Sequence, residues 1–235
     1  MPLVPARGGN VDANIIRQVP LFEGLDEATL GELYQKMSEV TLRRGEVLFE
    51  ENDDADRLYI VTEGKVKLGH TTSDGRENLL AILGPGEILG ELTLFDRGTR
   101  SGTATAISST RLLSLAHTDL MAFIDSHPQM AKLMLRDLAG RLRRTNEALA
   151  DMVFSDVPGR VAKALVDLAE RFGSRTDEGV HVPHDLTQEE LAQLVGASRE
   201  TVNKSLAEFG SRGWIRLEGR AVMLLDLERL VRRAR

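Results

Sequence analysis

The chain has 235 residues, 42% of them apolar, carries 30 basic and 36 acidic side chains for a formal net charge of −6, and contains no cysteine. That is enough chain for one or two domains, with two expected. Without cysteine there can be no disulfide, thiolate nucleophile, Cys-ligated iron–sulfur cluster or zinc ribbon, so any sensing must use another ligand.

No apolar run approaches the roughly 20 residues that span a bilayer, and MPLVPARGGN lacks the apolar core of a signal peptide. A cytoplasmic protein without membrane contact is expected. From Asp156 onward 13 basic side chains balance 13 acidic ones, so the whole deficit, 17 against 23, lies in residues 1–155. Within the rear part, Arg199–Arg220 and the tail LVRRAR are locally basic, a distribution that steers towards phosphate.

Residues 1–10 read as a loose tail, and Val11–Gln18 and Asp26–Met37 carry helical spacing on either side of PLFEGL. Ser38–Ala116 changes character: short runs rich in Val, Ile, Leu and Thr alternate with turns at Gly45, Gly64 and Gly75. This predicts a meander-like antiparallel β domain of about eight strands, closed as a barrel or jelly roll to hide its edges. One piece within it does not read as strand. Gly90-Glu91-Leu92-Thr93-Leu94-Phe95 predicts a helical turn, followed by a loop that ends in Arg100 and Ser101. Free N–H groups at a helix start, a guanidinium fork and a hydroxyl suit a monoanionic phosphate, while Glu91 can accept from sugar hydroxyls. The pair Glu91 and Arg100 therefore fits a sugar phosphate, or else forms an ordinary salt bridge closing the loop.

Pro128–Phe154 predicts one uninterrupted helix of about 40 Å. Leu135, Leu142 and Leu149 fall at position a of a heptad and Leu138, Thr145 and Met152 at d, so this helix should pair with its copy in a second subunit. Thr145 makes one seam position polar, either to set register or because something polar is bound there. Beyond it, Ser155–Gly159 reads as a hinge with Asp156 as N-cap, and Arg160–Phe172 as a helix followed by a loop.

The most specific pattern is LTQEELAQLVGASRETVNK. Thr187 with Glu190 forms a capping box, Ala192 is small where helices cross, Gly196 permits a left-handed turn, and Val202 with Leu206 packs back on Leu191 and Val195. This is a helix-turn-helix pattern. Ser198 caps the second helix and leaves Arg199, Glu200, Asn203 and Lys204 near the start of its outer face, where a recognition helix meets base edges. Trp214–Leu217 and Ala221–Leu225 predict a wing that carries Arg216 and Arg220 towards the DNA backbone.

Other arrangements carry less. GPGEILGE is one residue too long for a dinucleotide fingerprint, His181 and His184 flank Pro183 without further ligands, and no nucleophile elbow or Walker loop is present. Neither a metal nor an enzymatic activity is expected.

The motifs ADRLYIVTEGKVKL, SDGREN, GELTLFDRGTR, RLRRTN, FSDVPGRVAKAL and LTQEELAQLVGASRETVNK resemble the CRP/FNR superfamily of bacterial transcription regulators from about Leu21 onward, above all its actinobacterial, GlxR-like group. The resemblance implies an α+β protein: a cyclic-nucleotide-binding β-roll at 20–126 after a tail at 1–19, a dimerisation helix at 127–155, and a winged helix-turn-helix at 156–235. It implies that the Gly90-Glu91-Leu92 turn meets cyclic AMP, with Glu91 on the ribose 2′-OH, Arg100 and Ser101 on the phosphate, and Thr145 with Asn146 on the adenine. It further implies a homodimer whose Arg199, Glu200 and Lys204 read a TGTGA-like half-site while Thr187 and Ser198 hold phosphates, with RNA polymerase as a partner. Against the enterobacterial pattern, the Glu91–Arg100 loop is one residue shorter, Asn146 stands for a serine and Lys204 for an arginine. Those departures bear on ligand affinity, adenine selectivity and strictness at one base step. Another effector, such as cyclic di-GMP or 2-oxoglutarate, or none, and a regulatory module of an enzyme are the alternative readings.

Overall fold

The structure, a computed structural model, describes residues 19, 22, 24–72, 77–96 and 98–234. The expected helix at Val11–Gln18, half of PLFEGL and the turn at Gly75 lie outside these residues. Contacts divide the chain into two units, Met1–His70 with Ala81–Leu142 and Thr71–Leu80 with Arg143–Arg235.

In the first unit, helix α1 (Glu27–Gln35) is capped by Asp26, whose carboxylate accepts from Thr29 N. Eight strands follow, all within this unit except for Thr71 and the stretch 77–80: β1 (Ser38–Leu42), β2 (Val47–Phe49), β3 (Arg57–Glu63), β4 (Val66–Thr71), β5 (Glu77–Leu83), β6 (Ile88–Leu89), β7 (Thr103–Ala106) and β8 (Thr110–Ala116). They form two antiparallel sheets ordered β1-β8-β3-β6 and β2-β7-β4-β5. The expected jelly roll forms, but its connectivity is not the expected meander: the chain passes from sheet to sheet, and only β4 and β5 are sequential neighbours. A tight turn between two sheets carries the same residues as a hairpin turn within one. Gly64, at φ +79°, joins β3 to β4, and a Cβ there would lie 2.2 Å from Ser109 O.

Strands β3 and β8 are buried on both faces, which is why RLYIV and RLLSLA read as near-continuous apolar runs. Leu58, Ile60, Leu113 and Leu115 pack against the helices, with Leu30 and Leu33 of α1. Val61 and Leu112, on the opposite faces, join Leu42, Val66, Ala104 and Ala106 between the sheets. Two short helices complete the unit: α2 (Leu92–Phe95), a single turn, and α3 (His117–Ser126), which the sequence reading did not anticipate.

Helix α4 (Gln129–Phe154) is continuous, as expected. Met130 and Met134 are buried in the first unit's core. The stripe of Leu135, Leu142, Leu149 and Met152 is instead 50–66% exposed, with Val153 and Phe154 beside it more exposed still.

In the second unit, α5 (Val157–Phe172) starts at an Asp156 cap that accepts from Gly159 N, with Pro158 in its first turn. The expected loop after Phe172 is in fact a hairpin, β9 (Ser174–Thr176) and β10 (Gly179–Val182). Helices α6 (Gln188–Val195) and α7 (Arg199–Ser211) follow, then β11 (Ile215–Leu217), β12 (Val222–Leu224) and α8 (Leu227–Arg233). The wing is one half of a four-stranded sheet ordered β11-β12-β10-β9. Leu191, Val195, Val202 and Leu206 are all buried, as the helix-turn-helix pattern requires. No helix among the described residues is long and apolar enough to cross a membrane.

Candidate functional site

Arg100 ends the loop after α2 and is only 4% exposed. Its main chain is gripped from both sides, Asn52 N donating to Arg100 O and Arg100 N to Asp53 O, each at 2.9 Å. Its Nη2 donates to Arg57 O at 2.8 Å and its Nη1 to Gly90 O at 3.4 Å. The Nε is buried with no partner among the described residues. Burial lowers the Arg100 pKa, yet at such a basicity the group stays charged. A buried guanidinium with an open donor is a site for an anion.

Gly90 is held at φ +84°, and a Cβ there would sit 2.3 Å from Arg100 Nη1. Only glycine lets the arginine approach this closely. The carbonyl of Gly90 also accepts from His117 Nε2 at 3.2 Å. Glu91, 5% exposed, does not close a salt bridge with Arg100. Its Oε1 instead accepts from Arg141 Nη1 at 2.9 Å, while Arg141 Nη2 reaches Ile88 O and Nε reaches Asp137 Oδ2. Burial raises the Glu91 pKa and Arg141 opposes the rise.

Arg141 is the residue the sequence reading missed. Its signal was present: it stands one helical turn before Thr145, and a buried Glu91 needs a cationic partner. Leu92 and Ser101 are exposed beside the buried pair, Leu92 at the start of α2. Thr145 and Asn146 lie on an exposed stretch of α4 that belongs to the second unit.

At the front of the second unit, Thr187 Oγ1 accepts from Glu190 N, and the Glu190 carboxylate accepts in turn from Thr187 N at 2.8 Å and Thr187 Oγ1 at 2.9 Å. Gly196 closes α6 at φ 66°, ψ 45°. Ser198 caps α7 by accepting from Thr201 N. These caps aim the start of α7 outward, where Arg199, Glu200 and Lys204 are exposed. Lys204 Nζ pairs with Glu200 Oε1 at 2.7 Å, whereas Asn203 is turned partly inward with its Oδ1 buried and unpartnered among the described residues. Thr187, Gln188, Arg199, Gly219 and Arg220 line an open concavity of about 410 Å³ between the α6 start and the wing tip. Arg216 is engaged by two carboxylates, Glu178 at 2.6 Å and Glu218 at 3.0 Å, so its charge is locally neutralised. The basic tail is paired as well, Arg233 with Asp156 and Arg232 with Glu228.

A jelly roll that buries a guanidinium and a carboxylate, followed in the chain by a winged helix-turn-helix, defines a two-part protein with a candidate anion site and a helix-turn-helix of the DNA-binding kind. Two family models match these parts, the cyclic nucleotide-binding domain over residues 39–127 and the Crp-like helix-turn-helix domain over residues 159–233. The chain is 51% identical to a CRP-like cAMP-activated global transcriptional regulator of Mycobacterium tuberculosis, over 94% of its own length and 99% of that protein's. A cyclic AMP receptor protein of Thermus thermophilus is 36% identical over 84% of this chain and 88% of its own. Among solved structures, the c-di-GMP responsive global regulator of Xanthomonas campestris matches with a TM-score of 0.73 at 26% identity, covering 85% of this chain and 99% of that one. The chain belongs to the CRP/FNR family of transcription regulators.

Proposed function

We propose that this protein is a homodimeric transcription regulator, not an enzyme, whose operator affinity is set by cyclic AMP. The observation that carries the reading is the open, buried Nε of Arg100 beside the buried carboxylate of Glu91. In it, Arg100 and Ser101 take the cyclic phosphate at the Gly90–Leu92 turn and Glu91 takes the ribose 2′-OH, sharing its carboxylate with Arg141. Thr145 and Asn146 take the adenine. The exposed Leu135, Leu142, Leu149 and Met152 stripe supports pairing of α4 with a second copy, since exposed apolar stripes of this length are rare on a monomer's surface. Domains at 20–126, 127–155 and 156–235, a cytoplasmic location and contact with RNA polymerase belong to the same reading.

Ligand at the seam shifts the pairing of the long helices and moves the hinge at Asp156, so that two recognition helices meet half-sites about 34 Å apart. Arg199 suits guanine, Glu200 suits the cytosine amino group, and Lys204 suits a guanine in a TGTGA-like half-site. Asn203 stands on the same helix, and Thr187, Ser198, Arg216 and Arg220 serve the phosphates. Thr187 and Arg216 must first exchange their carboxylate partners for them.

A cyclic di-GMP effector is the second reading, favoured by the Xanthomonas relative. That ligand carries two phosphates, against one buried guanidinium with an open donor among the described residues. Calorimetric titration with cyclic AMP, cyclic GMP, cyclic di-GMP and 2-oxoglutarate decides between them, and a footprint on a palindromic TGTGA site tests the DNA function. Saturable cyclic AMP binding together with a footprint that depends on it is the expected result. Binding of cyclic di-GMP alone overturns the effector, and ligand binding without any footprint overturns the DNA function.

A further inference from the structure

We propose that Phe49, backed by Tyr59, is a positioning residue for the anion: its ring stands where a counter-ion otherwise would, keeping Arg100 charged, in place and free to bind phosphate. The inference rests on the effector reading above.

Arg100 presents an electrostatic problem. A buried cation without a partner costs several kcal/mol, and the usual remedy is a carboxylate. None lies within ion-pair distance of it among the described residues, although Asp53, Asp56 and Glu91 are close enough to act on its charge. An internal carboxylate would also have to be displaced by every incoming phosphate. Aromatic faces avoid that competition, because the negative face of a ring attracts the cation without using an N–H.

The Arg100 Cζ lies 4.3 Å from the Phe49 ring centroid and 5.7 Å from that of Tyr59. The two rings are 6.0 Å apart and tilted by 30°. The Phe49 ring uses none of the five N–H groups, and Nη1 and Nη2 each give only one to a carbonyl, so the Nε–H and a second N–H on each terminal nitrogen are left, all lying in the guanidinium plane. An anion must therefore arrive in the guanidinium plane, the geometry of fork recognition. The strand prepares this placement. Register shifts between Val47 and Phe49 where β2 pairs with β7, and such a bulge re-aims the side chain that follows it.

The test is calorimetry on the full chain with cyclic AMP and cyclic GMP, comparing wild type, Phe49→Leu, Phe49→Tyr and Arg100→Ala. Phe49→Leu keeps an apolar side chain but removes the ring, and the guanidinium then turns to Asp53, Asp56 or Glu91. We expect about 3- to 10-fold weaker binding, within the range of a desolvated cation–π contact. Both nucleotides should lose the same factor, because the shared phosphate is affected, and Phe49→Tyr should stay within about twofold of wild type. Should Phe49→Leu not fold, Phe49→Met carries the same comparison. Wild-type affinity in the aliphatic variant, or equal losses in Phe49→Leu and Phe49→Tyr, overturns the proposal. If Arg100→Ala binds normally, the effector assignment falls and this inference with it. If Arg100→Ala loses binding while Phe49→Leu keeps it, only the role of the ring is refuted.

Discussion

At the candidate site, Glu91 and Arg100 are 5% and 4% exposed and are held by Arg141 and by main-chain carbonyls, with the Phe49 ring centroid 4.3 Å from the Arg100 Cζ. On the recognition helix, the Lys204 and Glu200 side chains are 75% and 78% exposed and hold each other. The first arrangement is costly to assemble and barely able to rearrange, because each buried charge depends on particular partners. The second costs little: an exposed i to i+4 pair contributes about 0.3–0.5 kcal/mol and is screened by salt. Such a pair can exchange its partner for a base or a phosphate when DNA arrives. In the proposed function, the first region is assembled before its ligand binds, and the second is completed by DNA.

Replacing a charge should therefore have very different consequences in the two regions. Arg100→Ala should weaken cyclic nucleotide binding by about a hundredfold or more while leaving the dimer intact, since it removes the cation with the open donor. Calorimetry beside sedimentation checks both halves of that statement, and near wild-type affinity would break the pocket assignment. Lys204→Ala should relax preference at one base pair by about 1–3 kcal/mol and leave the others unchanged. Operator variants measured at fixed salt reveal it, and an equal loss on every sequence would make Lys204 a phosphate contact.

Much of the recognition half was legible because its signals are local. Thr187 with Glu190, Gly196 and Ser198 are caps whose chemistry is fixed by neighbours within four residues, and all three formed as read. Helix α4 was legible from its uninterrupted periodicity. The pocket was legible in part: GELTLFDRGTR marked Glu91 and Arg100, but the pairing of Glu91 with Arg141 joins residues 50 positions apart. No periodicity reports such a contact. Strand order was misread for the same reason, since Gly45 and Gly64 announce a turn but not which sheet the chain enters next. The β9–β10 hairpin was passed over because SRTDEGVHV is short, polar and Gly-interrupted, and gains its order from pairing with β12.

The titration of Glu91 separates the two regions with a smaller effect. Its pKa is raised by burial, so the folded, unliganded chain binds a proton that the unfolded chain does not, and stability rises as pH falls through that raised value. Ligand binding has the opposite sign, because the ionised carboxylate is the better acceptor for a sugar hydroxyl. Cyclic AMP affinity should be full above the raised pKa and fall by up to about tenfold per pH unit below it. Glu91→Gln should flatten both profiles, and a profile unchanged by that substitution would mean the carboxylate does not face the sugar.

In the proposed function, ligand and DNA communicate through the α4 seam, and Thr145→Leu should break that link. Leucine at position d should strengthen the pairing of two helices while removing a hydroxyl that the effector reading assigns to the adenine. Operator binding by fluorescence anisotropy, with and without cyclic AMP, should then show weaker ligand binding and a smaller ligand-induced gain in DNA affinity, in a dimer that resists dissociation at least as well as wild type by sedimentation. A Thr145→Leu protein that keeps its full ligand affinity and its full ligand-induced change in operator binding would reduce Thr145 to a register device and contradict the coupling.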